Sequence, residues 1–389
     1  MAEYDIWGND SAQGDGDALR KMPLSFEHNR LKAKRMTLGD YEVVAAYDKP
    51  KFEYHSLRRE VGVMDVSYLT FVRASGSERR EVLHKQLTAN FESFQEGQLR
   101  RAFLLNDAGG FLADVEVVAL GEFDLMVAPP TLPADRLISA MNRNLLMEDV
   151  SFEDTADTVT ALAIVGENKG WLARALGLDF GRGEERTIRP ARVGGQSVHL
   201  FRSDYFGSAP IILCRGAGAS TVWQTLVAAV RELDGLPVGH EAFDAWRIEH
   251  GVLWYGPDLG TDSTPLDADL ARCVDFAKDV SFPGREALLK VRQNADPPQR
   301  FCGLILDVQR PPEGTIPLRF SEGLPAGTLK SVGFSRQRNK YVGVGLIKWR
   351  DPLPWSPLIM MMPDGSTADA SVVPLPFPEE LGIEEEAEF

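Results

Sequence analysis

The sequence predicts an α+β protein that ends in a separate β-rich unit, and three observations support this class. Short apolar runs between residues 101 and 128 are separated by tight turns, as in antiparallel strands. Amphipathic patterns of helical period flank these runs, at 51–61 and at 134–146. Beyond about residue 300, short strand patterns alternate with Pro and Gly, which is typical of a small all-β barrel or jelly roll.

The remaining elements continue this antiparallel pattern along the chain. Two further segments in the first half predict a strand and a helix: 64–76 and 78–87. In the second half, strands are predicted at 158–166, 189–195, 198–204 and 210–214, and helices at 168–176, 220–234 and 240–250. The late strands are predicted at 301–308, 328–335, 340–349 and 358–362. Antiparallel strands with helices to one side define the α+β class.

Composition excludes several classes of function. The chain has 42 basic and 57 acidic residues and a net charge of −15, which argues against nucleic-acid and anionic-membrane partners. Its three cysteines are far apart, so we expect no disulfide framework and a reducing compartment. Neither a secretory signal nor a run of roughly 18 apolar residues is present, so we expect a cytoplasmic protein that acts on a small molecule.

Motif searches exclude further kinds of site. The six histidines show no HxH or HExxH spacing, so we expect no metal site. The sequence has no GxGxxG, GxxxxGK[ST] or GxSxG pattern, which counts against dinucleotide, P-loop and hydrolase-elbow sites.

The predicted hairpin LLNDAGGFLADVEVV contains two carboxylates inside its second strand. With a period of two, Phe111 and Ala113 point to one side, and Asp114 and Glu116 point to the other. Aspartate is disfavoured in strands, so its presence requires a reason. One interpretation is an exposed face with two solvated acids. The other is that Asp114 lines a pocket as a general base or stabilises a cation.

A second candidate segment is the predicted helix at 240–250 with the loop that follows it. Phe243, Trp246, Arg247 and His250 share one helical stripe, and Gly251 is suited to end the helix. The simplest interpretation is core packing for the aromatic residues and an ion pair between Arg247 and Glu249. His250 is placed to cap the helix, where the dipole favours its charge.

Four segments, in order and at matching separations, carry a family resemblance. They are REVGVMDVSYLTFVRASG, LLNDAGGFLADVEVV, WRIEHGVLWYGPDLGTDSTPLDADL and FPGREALLK. Together they resemble the T-protein (aminomethyltransferase) of the glycine cleavage system and its folate-linked demethylase relatives. The resemblance spans residues 50 to 350 approximately and implies a three-domain cloverleaf around a channel that tetrahydrofolate enters.

The implied architecture is two α+β (ferredoxin-like) units and a C-terminal small β-barrel. The expected division of the chain is an N-terminal arm (1–45), a first α+β part (46–155), a second α+β part (156–295), the barrel (296–378) and an acidic tail (379–389).

The resemblance assigns roles to the hairpin. The family hairpin reads N-x-x-G-G-x-x-D-D, so Asn106 is retained, the first aspartate is replaced by Ala113 and the second is retained as Asp114. The retained aspartate is the catalytic one in the family. It implies that Asp114 steers the pterin nitrogen or stabilises an iminium-like cation.

Other family positions differ in this chain. Tyr205 is retained, but Ile212 takes the place of the pterin-binding glutamate and Phe243 that of an arginine. Tyr68 replaces a histidine, and Ala128 or Pro129 an asparagine. Loss of a charge-assisted contact of about 1.5–3 kcal/mol weakens the expectation of ordinary folate use.

The substituted positions and their neighbours are apolar or aromatic. The expected lining comprises Tyr68, Phe243, Trp246, Trp254 and Tyr255, which suits a bulky aromatic substrate.

The sequence therefore predicts a one-carbon transferase, most simply a demethylase that passes a one-carbon group from a small aromatic or methylated substrate to tetrahydrofolate. Asp114 positions the reacting nitrogen, Tyr205 contacts substrate or pterin, and Arg247 with Glu249 supports the site. Two alternatives stay open: a folate-independent lyase that releases formaldehyde from a hydroxymethyl aromatic compound, and a non-catalytic folate-binding relative. The sequence does not specify the oligomeric state.

Overall fold

The computed structural model describes residues 19–179, 186–293, 297–348 and 356–378. The acidic tail at 379–389 and the first 18 residues of the predicted arm lie outside this range. The rest of the predicted arm forms a small sheet with the strand order β1-β3-β2. Its elements are Arg20–Lys21 (β1), Ser25–Arg30 (α1), Lys34–Leu38 (β2) and Tyr41–Ala46 (β3). Most of β3 is buried, so this sheet packs against the rest of the molecule.

The next part of the chain builds most of the first large sheet. Its elements are Pro50–Arg59 (α2), Gly62–Asp65 (β4), Thr70–Ser75 (β5), Arg79–Gln86 (α3), Leu99–Leu105 (β6), Phe111–Ala119 (β7), Asp124–Ala128 (β8), Ala134–Asn142 (α4) and Ser151–Asp154 (β9). The strand order is β6-β7-β8-β5-β9, and every neighbouring pair is antiparallel.

The following part builds the second large sheet. Its elements are Thr160–Val165 (β10), Lys169–Ala175 (α5), Arg189–Val193 (β11), Gln196–Ser203 (β12), Ala209–Cys214 (β13), Ala219–Glu232 (α6), Leu236–Pro237 (β14), His240–Glu249 (α7) and Arg285–Gln293 (α8). The strand order is β11-β12-β13-β10-β4-β14, so the early strand β4 joins this sheet through antiparallel pairing with β10.

The single strand predicted at 64–76 is wrong, because this segment contributes to two strands in different sheets. β4 ends at Asp65 and β5 begins at Thr70. Asp65 accepts a hydrogen bond from the backbone N–H of Ser67 at 2.9 Å, which makes a turn of the kind that aspartate favours. The chain thus leaves the second sheet and enters the first within a few residues.

The C-terminal part is a closed six-stranded barrel, which confirms the predicted fold class. Its strands are Gln299–Leu306 (β15), Ile316–Phe320 (β16), Pro325–Ser335 (β17), Lys340–Lys348 (β18), Pro357–Met361 (β19) and Thr367–Val373 (β20), in the order β15-β18-β17-β16-β19-β20. β15 also pairs with β20, which closes the barrel and leaves no free sheet edge. The sequence patterns had not indicated β16 or β20.

The side-chain alternation predicted for the hairpin is confirmed. Phe111, Ala113 and Val115 belong to one apolar core cluster, whereas Val118, which shares its side of the strand with Asp114 and Glu116, belongs to another. The interpretation of these two acids as solvated is wrong, because both are completely buried.

Within the described part of the chain, no helix is long and apolar enough to cross a membrane. Over the same residues, no group of three or more His, Cys, Asp or Glu side chains is arranged to hold a metal ion.

Candidate active site

Asp114 lies at the centre of a buried polar cluster on β7. The Arg101 guanidinium on the neighbouring strand β6 donates to it twice, from Nε to Oδ1 at 2.9 Å and from Nη2 to Oδ2 at 2.6 Å. The Tyr205 hydroxyl donates to Oδ1 at 3.2 Å and lies 3.0 Å from the Asp114 carbonyl. Both carboxylate oxygens are therefore used inside the protein, in the fork geometry that makes arginine–carboxylate pairs strong.

Arg101 is the member of this cluster that reaches a cavity. It lines both large cavities, whereas Asp114 lines neither of them. Burial alone lowers the pKa of Arg101, but the charge of Asp114 outweighs it, and the pKa lies well above its ordinary value. Arg101 is thus held charged at the cavity wall, with Asp114 behind it.

Glu116 carries the second carboxylate of the hairpin strand and behaves differently. Its Oε1 accepts a hydrogen bond from the backbone N–H of Asp204 at 2.7 Å, and its Oε2 has no hydrogen-bond partner among the described residues. Burial, reinforced by the charge of Asp204, raises the pKa of Glu116 to about 8. Glu116 is therefore mostly a neutral acid at pH 7.

Asp204 connects this cluster to three arginines. Its Oδ2 lies 2.7 Å from Arg186, 3.7 Å from Arg101 and 3.8 Å from Arg272. Burial by itself raises the pKa of Asp204, but Arg101 and then Arg186 outweigh it, and the pKa lies below its usual value. Asp204 is a shared counter-ion that holds the three guanidinium groups close together.

Two cavities of about 800 and 1010 Å³ meet at this cluster. They adjoin because they share Arg101, Asp204, Ser208 and Arg272. We call the two cavities together the arginine cleft, after its lining arginines: Arg100, Arg101, Arg186, Arg202, Arg272, Arg292 and Arg300. Either cavity has the size of a small-molecule binding site.

Four aromatic residues of the expected lining lie together but away from the cleft surface. Tyr68, Phe243, Trp246 and Trp254 are buried in one core cluster with Tyr205. The rings of Phe243 and Trp246 are stacked at 5.8 Å, and those of Phe243 and Trp254 lie 6.0 Å apart. None of the four lines the two cavities.

The aromatic cluster nevertheless stands directly behind the cleft wall. Gly207 lines the smaller cavity, and a Cβ at Gly207 would lie 2.8 Å from the Trp246 ring. The ring of His240 also lies against this cluster, 5.8 Å from that of Trp254. Three buried polar atoms here lack a hydrogen-bond partner among the described residues: Tyr68 Oη, His240 Nδ1 and Trp246 Nε1. Unmatched polar atoms are costly inside a protein, so this group is a candidate for contact with a bound molecule.

Tyr255 and Asn106 are placed differently from the other expected site residues. Tyr255 packs in the core of the first large sheet rather than in the aromatic cluster. Asn106 closes the hairpin turn, since its Oδ1 accepts from the backbone N–H of Gly110 at 2.9 Å. In this structure both residues therefore serve the local fold.

The ion pair expected between Arg247 and Glu249 is wrong. Arg247 pairs with Asp244 at 2.6 Å and with Asp258 at 2.9 Å. Glu249 instead accepts from the Tyr54 hydroxyl and lies 3.5 Å from Arg338, on the far side of the helix. Successive side chains of a helix point in different directions, so residues two apart do not meet.

The expected capping role of His250 is confirmed. It follows the last residue of α7, and its Nδ1 lies 2.7 Å from the carbonyl oxygen of Trp246. Its ring also stacks on Trp246 at 4.0 Å.

Sequence reasoning missed the arginines and Asp204. The sequence does contain a signal for Arg101. Arg100 and Arg101 lie in the strand that precedes the hairpin turn, and charged side chains are unusual in a buried strand, as Asp114 is in the next strand. Arg186, Asp204 and Arg272 come from distant parts of the chain, and only the tertiary fold brings them together.

Comparisons with known proteins agree with this architecture. A family model described as GCVT N-terminal domain matches residues 24–278. The aminomethyltransferase of Streptomyces coelicolor is 27% identical over 323 residues, which cover 80% of this chain and 87% of that protein. That of Thermus thermophilus is 28% identical over 364 residues, which cover 92% of this chain and 99% of that protein.

A solved structure shows the same fold. The glycine cleavage system aminomethyltransferase T from Bartonella henselae superposes with a TM-score of 0.78 at 23% identity, covering 93% of this chain and 99% of that one. The family match over more than half of the chain establishes that the protein belongs to the GCVT family, the T-protein family of aminomethyltransferases.

Proposed function

We propose that this protein transfers a one-carbon group from a small-molecule donor to tetrahydrofolate. Family membership supports one-carbon transfer as the class of reaction. The observation that carries the proposal is the Arg101–Asp114 pair, which lies on the retained family hairpin, contacts Tyr205 and reaches a cleft of ligand size.

Tetrahydrofolate supplies a pterin nitrogen that accepts the one-carbon group. The aromatic cluster offers a chemistry that fits a flat polar ring, because it combines aromatic faces with three polar atoms that have no partner in the described part of the chain. Tyr68, His240 and Trp246 are buried and line neither cavity in this structure, so they would hold the pterin through these atoms once the cluster opens toward the cleft beside Gly207. Ile212 packs in a different core, so the position that corresponds to the family's pterin-binding glutamate does not face the aromatic cluster.

We assign Asp114 a positioning role and Arg101 the contact with the ligand. Asp114 is fully buried, and its oxygens are already used by Arg101 and Tyr205. A carboxylate in this state fixes the orientation of the guanidinium and stabilises its charge. Arg101 then presents fixed N–H donors to the cleft. They stabilise negative charge on the bound ligand, and the guanidinium does not have to reorient during the reaction.

The donor is proposed to be a methylated or methoxylated small molecule, which would make the protein a demethylase. A folate-independent lyase that releases formaldehyde is the second candidate. The replacements by Ile212 and Phe243 favour it, since both remove polar groups that family members direct at the pterin.

A turnover screen separates the two candidates. Methylamines, sulfonium compounds, and methoxy- and hydroxymethyl-aromatics are incubated with the enzyme, with and without tetrahydrofolate, and products are followed by mass spectrometry. Transfer predicts a one-carbon adduct of tetrahydrofolate and no turnover in its absence. Formaldehyde release at the same rate without folate would reject transfer in favour of the lyase.

A further inference from the structure

The larger cavity of the arginine cleft carries a positive charge that contrasts with the rest of the chain. Its described lining includes five arginines but only two carboxylates, Asp204 and Asp275. The chain as a whole has a net charge of −15. A cationic cavity on an acidic protein attracts anions locally while the remaining surface repels them.

Arg202 of this cavity is incompletely hydrogen-bonded. It donates from Nη1 to the Ser208 carbonyl at 3.2 Å, but its buried Nε has no partner among the described residues. A buried cationic N–H group without a partner is one that an anionic ligand would stabilise.

We propose that the one-carbon donor is a small organic anion with more than one negative charge, carried on carboxylate or phosphate oxygens, and that Arg101, Arg186, Arg202 and Arg272 bind it. This inference rests on the proposed function. Planar guanidinium groups match carboxylate and phosphate oxygens in pairs, and the excess of arginines over aspartates favours a multiply charged ligand.

The position of the arginines favours the donor over the charged tail of a folate. Arg101 is bonded directly to Asp114, the hairpin carboxylate at the proposed reaction centre. The reacting nitrogens of tetrahydrofolate belong to its pterin end, and its glutamyl carboxylates lie at the opposite end of the molecule. An anion seated against Arg101 is therefore part of the donor.

The first experiment measures anion binding without any turnover. Isothermal titration calorimetry with succinate, inorganic phosphate and acetate is applied to the wild type and to Arg202→Gln and Arg272→Gln. Arg272 is 59% exposed at its side chain, so its replacement leaves folding intact. Arg143→Gln, at an exposed arginine outside both cavities, is the matched control.

The wild type and Arg143→Gln are expected to bind succinate or phosphate at least 10-fold more tightly than acetate. Each cleft variant is expected to lose at least 10-fold in this affinity. Equal affinity for the three anions, or equal binding by the cleft variants and the control, would overturn the anion site even if folate-dependent transfer is found.

The second experiment assigns the anion to the donor or to folate. Donors found active in the turnover screen are compared with their neutral amides, and KM is measured separately for donor and for tetrahydrofolate. Arg202→Gln is expected to raise the donor KM at least 10-fold and to change the folate KM less than 2-fold. The reverse pattern would overturn the donor assignment, and so would equal use of charged and neutral donors by the wild type.

Discussion

At the scale of single residues, the hairpin strand holds two carboxylates in two different states. Asp114 is paired on both oxygens with Arg101, whereas one oxygen of Glu116 has no partner within the described part of the chain, and its pKa is raised. The sequence predicted that these side chains share a face, because alternation along a strand is geometric. It did not predict their different states, since these depend on Arg101 and Asp204.

Asp114→Asn is expected to destabilise the fold strongly. Removal of one partner leaves Arg101 charged, buried and unpaired, which costs about 3–5 kcal/mol in the free energy of unfolding. Urea denaturation measures this loss. The double variant Arg101→Gln/Asp114→Asn removes the unpaired charge and should recover part of the stability. A single variant as stable as the wild type would show that the pair is not formed in solution.

Glu116→Gln is expected to stabilise the protein at alkaline pH. The folded pKa of Glu116 is about 8, above its unfolded value, so its contribution to stability is fully present in acid and is lost as pH rises toward 8. Glutamine mimics the neutral acid at every pH. Thermal melts should therefore show a higher Tm for the variant at pH 8 and above, and a difference that shrinks toward pH 5. A constant difference across this range would contradict the buried neutral acid.

At the scale of elements, the turn of the β6–β7 hairpin packs tightly against the loop that follows α7. Asn106 closes the turn, and Gly110 packs against the loop after α7, where an added Cβ would lie 2.3 Å from the Thr261 carbonyl oxygen. Turn chemistry made the hairpin predictable from its NDAGG sequence. The contact with Thr261 was not predictable, since it joins segments about 150 residues apart in the chain.

Gly110→Ala is expected to destabilise the fold by about 1–3 kcal/mol or more, as overpacking does, because backbone cannot move aside as a flexible side chain can. Gly170→Ala is the control. Gly170 lies in α5 with nothing within 4 Å of an added Cβ, so alanine there should stabilise by about 0.5–1 kcal/mol. Chemical denaturation of the two variants measures both effects. Equal effects at both positions would contradict the tight contact.

At the scale of the whole molecule, α1 connects the N-terminal sheet to the second large sheet through a buried contact. His28 on α1 is fully buried, and its ring nitrogens lie 2.7 Å from Asp65 on β4 and 2.9 Å from the Tyr47 hydroxyl. The segment that the sequence predicted as an arm is thus tied to the core in its described part. Local patterns could not show this, because His28 and Asp65 lie 37 residues apart.

His28→Ala is expected to reduce the free energy of unfolding by about 3 kcal/mol or more, since it removes the imidazole that pairs with Oδ2 of the buried Asp65 and leaves this carboxylate, among the described residues, only its hydrogen bonds to Ser67. His55→Ala, at an exposed position on α2, is the control and should change stability by less than about 0.5 kcal/mol. Guanidinium denaturation distinguishes the two. If His28→Ala behaved like its control, α1 would not be needed to hold the two sheets together.

The overall architecture was predictable because the order and spacing of the strands and helices determine it. Two α+β sheets and a closing barrel follow from strand and helix patterns together with the family resemblance. Two features were not predictable: the pairing of β4 with β10 in the second sheet, and the arginine cleft. Both depend on contacts between distant segments. The function is proposed to lie in the cleft, so the sequence located Asp114 and its neighbour Tyr205 but not the arginines that line the cleft.

The central claim is that Arg101, held by Asp114, serves one-carbon transfer to tetrahydrofolate. Single-turnover formation of the one-carbon adduct of tetrahydrofolate, followed by mass spectrometry, tests it most directly. The wild type should form the adduct, and Arg101→Gln/Asp114→Asn, with its fold verified by circular dichroism, should form it at least 10²-fold more slowly. An undiminished rate in the double variant, or donor consumption without any folate adduct, would contradict the claim.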